Sequence, residues 1–447
     1  MTLRVEEFAR QLSRDKIDSV RGASALKTAA RRDALPTVFE DPASAQEFAA
    51  RTKSFVLDNL KALLLDFETN CTANGIQVHW ARDAAEANQI ILELCREASP
   101  NGGIIAKAKS MATEEIHLNE HLIEAGFQPV ETDLGEFVAQ IDGDTPSHIV
   151  TPIIHKNRRE IAASFEREGL GPYSEVPEEL AMQARGHLRD QFREAVVGIS
   201  GVNFGIASTG RLVLVENEGN NRYSTTLPRV HIALMGIEKL LPEESDLAIF
   251  LPLLAASATG QRITSYVHFI QGPRQPDELD GPEAVHVVLL DNGRTKVLNG
   301  PYRDILRCIR CGACLNVCPV YRQASGHAYG HVYPGPVGAV LVPAMNKEYL
   351  DLAKASTLCG ACQEVCPVKI PIPKMLLELR HEQEDSSKLP WKQYRFGANH
   401  PRAWRLGLTM LPMAASLPHP LKKNWEEFRG APKRQEKNFR RWWRDRS

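Results

Sequence analysis

Seven of the chain's nine cysteines fall within 59 positions, from Cys308 to Cys366. Four of them form the run Cys308-x2-Cys311-x2-Cys314-x3-Cys318-Pro319. Thiolates at this spacing can wrap one face of an iron–sulfur cubane, and the fourth cysteine leaves the turn to serve a neighbouring cluster. Zinc knuckles also use C-x2-C pairs, but zinc takes its ligands as two pairs and has no use for a third cysteine at the same spacing. A second copy, Cys359-x2-Cys362-x3-Cys366-Pro367, follows at an offset of 48. Between Cys311–Val320 and Cys359–Val368 eight of ten positions are identical, so the two segments should make the same turn around the same kind of object.

The second copy lacks one thiol, because Ser356 stands where the repeat places the partner of Cys308. Crossed ligation assigns Cys308, Cys311, Cys314 and Cys366 to one [4Fe-4S] cluster. It leaves Cys318, Cys359 and Cys362 for a second cluster, either [3Fe-4S] or a [4Fe-4S] completed by Ser356, solvent or a partner protein. Two clusters held this way lie close together and form a path for single electrons, with potentials set by hydrogen bonds, charge and exposure. The long step from Cys318 to Cys359 and the helix-like segment 346–355 suggest an all-helical ferredoxin-like arrangement, similar to that of succinate dehydrogenase-type subunits. His327 and His331, between the runs, read as exposed loop histidines, and the isolated Cys71 and Cys95 as buried thiols.

These ligands need a scaffold. At 447 residues, 43% hydrophobic and 24% charged, the chain has ordinary globular composition and room for two to four domains. Strands are predicted at 76–80, 103–107, 147–151, 202–208, 211–216, 231–235, 263–270 and 284–290. Helices are predicted at 82–98, 113–125, 157–168, 176–195 and 246–258, the second opening at Thr113-Glu114-Glu115, where a hydroxyl can cap and two carboxylates suit the positive end of the dipole. Strands alternating with helices argue an α/β domain with a largely parallel sheet. The reading divides the chain into an N-terminal helical segment (1–44), the α/β domain (45–300), the ferredoxin-like domain (301–385) and a basic tail (386–447). Lys+Arg 54 against Asp+Glu 55 gives a net charge of −1. From Trp391 onward, 14 Lys/Arg face 4 Asp/Glu, a net +10, so the preceding residues carry −11. That balance argues against nucleic acid. The tail reads either as a solvated segment or, with five of the six tryptophans among its cations, as an element that docks on an acidic partner, with membrane association at most peripheral. No apolar stretch is long enough to span a bilayer and the N-terminus has no apolar core, so a cytoplasmic protein is expected.

The α/β part carries motifs that resemble a known family. Ser110-Met-Ala-Thr-Glu-Glu-Ile116, Glu131–Glu136, Ser147–Pro152, Asn217–Asn220, Thr226–Pro228 and Val230–Lys239 look like the LUD (lactate-utilisation) domain. A LUD domain, then a ferredoxin region, then a basic Trp-containing tail is similar to the LutB-type lactate-utilisation iron–sulfur proteins. The resemblance implies a NagB/RpiA/CoA-transferase-like fold for the LUD part. It also implies electron transport during oxidation of L-lactate to pyruvate, as a non-catalytic component. The implied partners are a cysteine-rich subunit of the heterodisulfide-reductase type and a small LUD-domain protein. Two alternatives stay open: a LUD enzyme acting itself on a small acid or thioester, and an iron–sulfur subunit for another 2-hydroxy acid such as glycolate.

Within the LUD motifs, three turns could serve an anion. Lys107, Lys109 and Ser110 follow a strand and precede a helix, the place where an α/β sheet binds negative charge. Thr209 and Gly210 lie in a second small-residue turn, and Asn217 and Glu218 in a third. No P-loop, GxGxxG or Ser/His/Asp motif is present, so no catalytic residue is named. Two-electron oxidation of an alcohol needs a hydride acceptor, and the lack of a flavin or nicotinamide fingerprint favours the electron-transfer reading.

Overall fold

The computed structural model describes residues 4–382, 388–402, 404, 406 and 439–446. Residues 1–382 form one compact unit and 383–447 a second. In the second unit the described elements are the helices Lys388–Asn399 and Phe439–Arg444; the rest of the expected basic tail lies outside the described residues.

Ten strands fall in the first unit: β1 (Gln77–Ala81), β2 (Gly103–Lys107), β3 (Phe127–Glu131), β4 (Val197–Gly201), β5 (Phe204–Ile206), β6 (Leu212–Glu216), β7 (Val230–Gly236), β8 (Leu240–Leu241), β9 (Tyr266–Ile270) and β10 (Ala284–Leu290). Six make a sheet in the order β1-β10-β7-β4-β2-β3, with every pairing parallel. Parallel strands are covered on both faces and so read as continuous apolar runs; β10, Ala-Val-His-Val-Val-Leu-Leu, is buried at six of its seven positions. The other four strands form a mixed sheet, β8-β5-β6-β9. The α/β expectation therefore holds.

Several local expectations do not. The segment 147–151 is an irregular turn, because the His148 Nδ1 accepts the N–H groups of Val150 and Thr151 that a strand would offer to a neighbour. The helix expected at 113–125 is two helices, Met111–Glu115 and Leu118–Glu124, broken at His117 with φ 53°. Its cap is Ser110, whose hydroxyl accepts from the Thr113 N–H, and not Thr113 itself. Three strands were invisible to periodicity: β3, β4 and the two-residue β8. β3 contains Pro129, tolerable because β3 is the sheet edge. β4 contains Gly198, where an added Cβ would stand 1.7 Å from the Ser224 carbonyl oxygen.

From 303 to 382 every regular element is helical. At the centre is Gly335–Met345, a helix of small and apolar residues buried on all sides. The segment expected to be a helix at 346–355 is a 3-10 run, Lys347–Lys354, kinked at Tyr349. One apolar core joins Val5, Phe250, Leu315, Val340 and Leu376, so the cysteine region and part of the α/β region share an interior. The helix Arg14–Val38 lies along both: Arg31 donates to the Val365 carbonyl at 2.7 Å, while Gly260 leaves room for Ala30, 2.4 Å from where a Cβ would stand.

A buried ion network ties the parallel sheet to the cysteine region. Arg294 makes two bonds to Glu115, at 2.9 and 2.7 Å, and one to Glu238 at 2.7 Å. Tyr333 donates to Glu115 at 2.6 Å and Arg310 to Glu238 at 3.3 Å. Burial alone would raise both carboxyls, but the guanidiniums outweigh it, holding Glu115 below its ordinary 4.5 and Glu238 at about 2. Carboxyls with folded values below their unfolded ones stabilise the fold above about pH 4.5 and lose that contribution as pH falls toward 2. Urea unfolding should therefore show stability declining below about pH 5. Glu238→Gln should lower stability at pH 7 by about 3 kcal/mol and flatten the acid decline; an unchanged acid slope in the variant would refute the assignment.

Candidate metal centre and adjoining cavity

The sequence repeat is also a backbone repeat. Arg310 and Gly312 have φ of 59° and 74°, and their counterparts Leu358 and Gly360 have 54° and 88°. Each turn feeds a short helix, Ala313–Val317 or Ala361–Glu364. A positive φ is strained for Arg310 and Leu358, and its occurrence twice at the same place shows that the turn demands it. The Arg310 N–H donates to the Cys308 Sγ at 3.4 Å, and the Leu358 N–H donates to the Ser356 Oγ at 3.1 Å. Ser356 thus holds its oxygen in the same local hydrogen bond that Cys308 gives its sulfur. Further on, the Tyr321 N–H donates to the Cys318 Sγ at 3.5 Å, and the Ile370 N–H to the Cys366 Sγ at 3.4 Å.

The thiols fall into two sets by their mutual electrostatic influence. Burial and then the charges of Cys308 and Cys366 push Cys311 up to about 12. Cys314 is held well above its usual range by burial and by Cys308, Cys311 and Cys366, with a smaller effect from Cys362. Cys366 is pushed up to about 11, by burial and Cys308. The second set is Cys318, raised by burial and Cys359, and Cys362, pushed up to about 12 by burial, Cys318 and Cys359. Cys359 alone is exposed. Its thiol is lowered by the Ala361 N–H and the Thr357 hydroxyl. Cys71 and Cys95 lie apart, buried and each pushed up to about 12 by that burial.

This donor set fits an iron–sulfur core. Thiols that oppose one another's ionisation are stable as thiolates only around a cationic metal core. N–H donors to Cys308, Cys318 and Cys366 are already in place. Protein cations gather around the first set: Arg31 acts on Cys311 and Cys366, Arg310, Lys53 and Lys239 on Cys308, and Arg307 on Cys366. Near the second set the Tyr329 hydroxyl is buried with no hydrogen-bond partner and lies in the field of Cys318 and Cys314. His327 and His331 are half-buried and not exposed, a correction to the sequence reading. His327 Nε2 is 2.7 Å from the Thr145 carbonyl, and the His331 ring packs on Tyr333 and Tyr349.

Beside the first set lies a cavity of about 300 Å³. It opens where β2, β4 and β7 end: Lys109 and Ser110 follow β2, Val202 and Asn203 follow β4, and Lys239 lies three residues past β7. The chain leaves β2 toward β3 but leaves β4 toward β7, in opposite directions along the sheet. Such a switch point is where parallel α/β sheets bind ligands. Arg310 and Tyr333 of the cysteine region form part of the wall, and Lys27 of the N-terminal helix another part.

Of the anion-binding residues expected from sequence, Lys109, Ser110, Asn217 and Glu218 line this cavity, whereas Thr209 and Gly210 do not. The turn holding them packs on the helix Leu60–Ala73: the Thr209 carbonyl accepts from Asn74, and a Cβ at Gly210 would meet the Cys71 nitrogen at 2.4 Å. Lys107 is also elsewhere, buried against Glu114 and Glu131 at 2.8 and 2.7 Å. Sequence reasoning missed Lys27, Lys239 and Arg310. Lys239 closes a LUD motif and was a visible signal; Arg310 was hidden as a spacer between two cysteines. A Ser–His–Asp constellation does exist, with Ser147 Oγ 2.6 Å from His155 Nδ1 and His155 Nε2 2.9 Å from Asp144. Ser147 is fully buried and its carbonyl accepts from Tyr321, so the constellation works as a joint and has no access to a substrate.

Comparison with known proteins adds to this geometry. Residues 64–290 match the LUD domain, 304–370 a 4Fe-4S dicluster domain, and 373–447 the C-terminal domain of lactate utilisation protein B. The chain is 42% identical to lactate utilization protein B of Macrococcus caseolyticus, covering 96% of this chain and 95% of that one. It is 44% identical to the Bacillus subtilis protein of the same name, covering 88% and 86%. An uncharacterized electron transport protein, YkgF of Escherichia coli, is 42% identical over 89% and 86%. A solved DUF162-family structure from Deinococcus radiodurans aligns with 52% of this chain at 12% identity, with a TM-score of 0.29, too low to define a fold.

The thiol environments predict an order of reactivity in the iron-free chain. Alkylation by iodoacetamide at pH 8, followed by peptide mass spectrometry, should label the exposed, low-lying Cys359 first and Cys71 and Cys95 last. Equal labelling of Cys359 and Cys71 would contradict these environments.

Proposed function

The chain belongs to the lactate utilization protein B family, and on that footing we propose that this iron–sulfur protein carries single electrons during oxidation of L-lactate to pyruvate. The observation that carries the reading is the gathering of seven thiols into two adjoining sets, with Cys314 within the field of Cys362. Cys308, Cys311, Cys314 and Cys366 would hold one [4Fe-4S] cluster. Cys318, Cys359 and Cys362 would hold the other, as [3Fe-4S] or as [4Fe-4S] with Ser356 as fourth ligand. Bound there, the clusters would supply one-electron storage and transfer.

The chain's own residues set the conditions for that transfer. Arg31, Arg307, Arg310, Lys53 and Lys239 place positive charge around the first set, which favours its reduced form. The exposed Cys359 makes the second set the surface end of the path, open to a partner. The partners proposed are the cysteine-rich heterodisulfide-reductase-type subunit and the small LUD protein, with the basic tail as a docking element. The helical elements from 303 to 382 support an all-helical ferredoxin arrangement, and the six-stranded parallel sheet is compatible with the NagB/RpiA/CoA-transferase-like fold. No described helix is long and apolar enough to cross a membrane.

Cysteine variants test the ligand sets. Cys308→Ser and Cys366→Ser should remove the same EPR signal, and Cys318→Ser should match Cys359→Ser. Losses grouped by sequence run, with Cys366 paired to Cys359, would sink crossed ligation. Reduction of both clusters by lactate should require the partners; turnover of lactate by the purified chain alone would favour the enzyme reading.

Ser356→Cys supplies a thiol where the Leu358 N–H already donates to the Ser356 Oγ. It should give the second cluster an all-cysteine [4Fe-4S] form of lower potential, because a thiolate adds negative charge. EPR-monitored redox titration reads the change, and an unaltered spectrum and potential would place Ser356 away from the cluster.

A further inference from the structure

The cavity at the strand ends has an unusual charge inventory. Among the described residues, Lys27, Lys109 and Lys239 line it with no carboxylate within ion-pair distance. Lys109 reaches only the Val150 carbonyl, at 2.8 Å. Arg310, whose side chain is 8% exposed, forms the wall toward the cysteines, stacks over the Tyr333 ring at 4.7 Å, and keeps Nη1 without a partner. Of the three acids that line it, Glu216 is paired with His268, Asp133 accepts from the Gly135 and Glu136 N–H groups, and Glu218 is pushed up to about 7 by burial and by Asp133. Three ammonium groups outside any ion pair in one partly enclosed space, offset only at longer range by Glu238 and Glu218, favour a bound anion. Leu254 and Ala258 of the helix Leu247–Thr259 add apolar lining. A cavity of about 300 Å³ is at the small end of ligand sites.

We propose that this cavity binds a small monocarboxylate of the 2-hydroxy or 2-oxo acid class, with its carboxylate on the lysines and Arg310 and its carbon skeleton against Leu254 and Ala258. The acid class rests on the function proposed above, whereas the site rests on the geometry. Arg310 and Lys239 also act on Cys308, so an anion seated on them is felt by whatever Cys308 holds. Added negative charge lowers the potential there, and by linkage the oxidised protein binds the acid more tightly than the reduced protein. The cavity is thus a sensor that lets substrate or product occupancy set the tendency of the first cluster to accept an electron.

The test uses the full-length protein reconstituted with iron and sulfide without oxygen. Calorimetric titrations with L-lactate, pyruvate and inorganic phosphate are run on the oxidised and reduced forms. At least one of the two carboxylates should bind once per chain, at least about tenfold more tightly than phosphate. Lys239→Met should weaken binding by about tenfold or more, as expected for loss of a charged hydrogen bond. Ala258→Leu, which fills the apolar side and removes no charge, should weaken it comparably with iron content unchanged; it decides the matter if Lys239→Met loses iron. A tenfold difference in affinity between the redox states corresponds to a shift of about 59 mV for one electron, which EPR potentiometry reads independently. Phosphate binding as tightly as the carboxylates would overturn the ligand class. No binding, or binding indifferent to Ala258→Leu, would overturn the site, and equal affinity in both redox states would overturn the coupling. A chain that binds no acid yet is reduced through its partners loses this proposal alone; one that binds acid yet is never reduced by lactate with its partners loses only the electron-transfer reading.

Discussion

Glu115 and Glu238 are each about 1% exposed at the side chain, and each depends on Arg294, which is 2% exposed. Charges so removed from water are tolerable only when paired and hydrogen-bonded, and removing one partner leaves the others stranded. The same network fixes geometry over a wide span of sequence. Glu115 comes from the helix after β2, Glu238 follows β7, Arg294 follows β10, and Tyr333 and Arg310 come from the cysteine region. Gly236 makes the approach possible, since a Cβ there would meet Glu238 Oε2 at 2.4 Å and Arg294 Nε at 2.8 Å. The carboxyl ends of the parallel strands and the first cysteine turn are therefore held in one register by a single set of charges.

That constraint explains why the LUD and dicluster regions share a core. A second polar joint lies along 144–155. There the Ser147 carbonyl accepts from Tyr321, His148 lies 3.2 Å from the Asn316 side chain, and a Cβ at Gly326 would overlap the Ser147 carbonyl at 1.8 Å. The loop carries a LUD motif, yet its packing partners belong to the cysteine region. Its conformation is set by hydrogen bonds to side chains, which a strand would have spent on a neighbouring strand.

The arrangement has a chemical consequence. An iron–sulfur region needs only cysteines, local donors and a protected interior, all of which residues 303–382 supply. Placing the first turn against a ligand-sized cavity at the switch point of a parallel sheet adds a second input, because Arg310 belongs to both. The cationic surroundings of Cys308 and the exposure of Cys359 make the two ends of the thiol array different: one faces the α/β domain and the other the solvent.

Much of the chemistry was written in local spacing. The cysteine runs, the repeat offset and the missing thiol at Ser356 needed no structure, because cluster ligation is a property of short segments and of residue type. The α/β class, β10 and the helix Leu247–Thr259 were legible because long apolar runs bury themselves. Other features depended on contacts far apart in sequence. β4 was hidden by Gly198, whose absent side chain makes sense only beside Ser224, and the segment 147–151 was misread because Tyr321 and Asn316 hold it from 170 or so positions away. The turn at Thr209 and Gly210 has the composition of an anion site but packs on a helix, while Arg310, a spacer between two cysteines, carries no such signature and lines the cavity. Residue types determined what the metal centre could hold; only the folding of the parallel sheet against the cysteine region decided which cations share its cavity, because that proximity arises from strand order and buried charge pairing and from no local pattern.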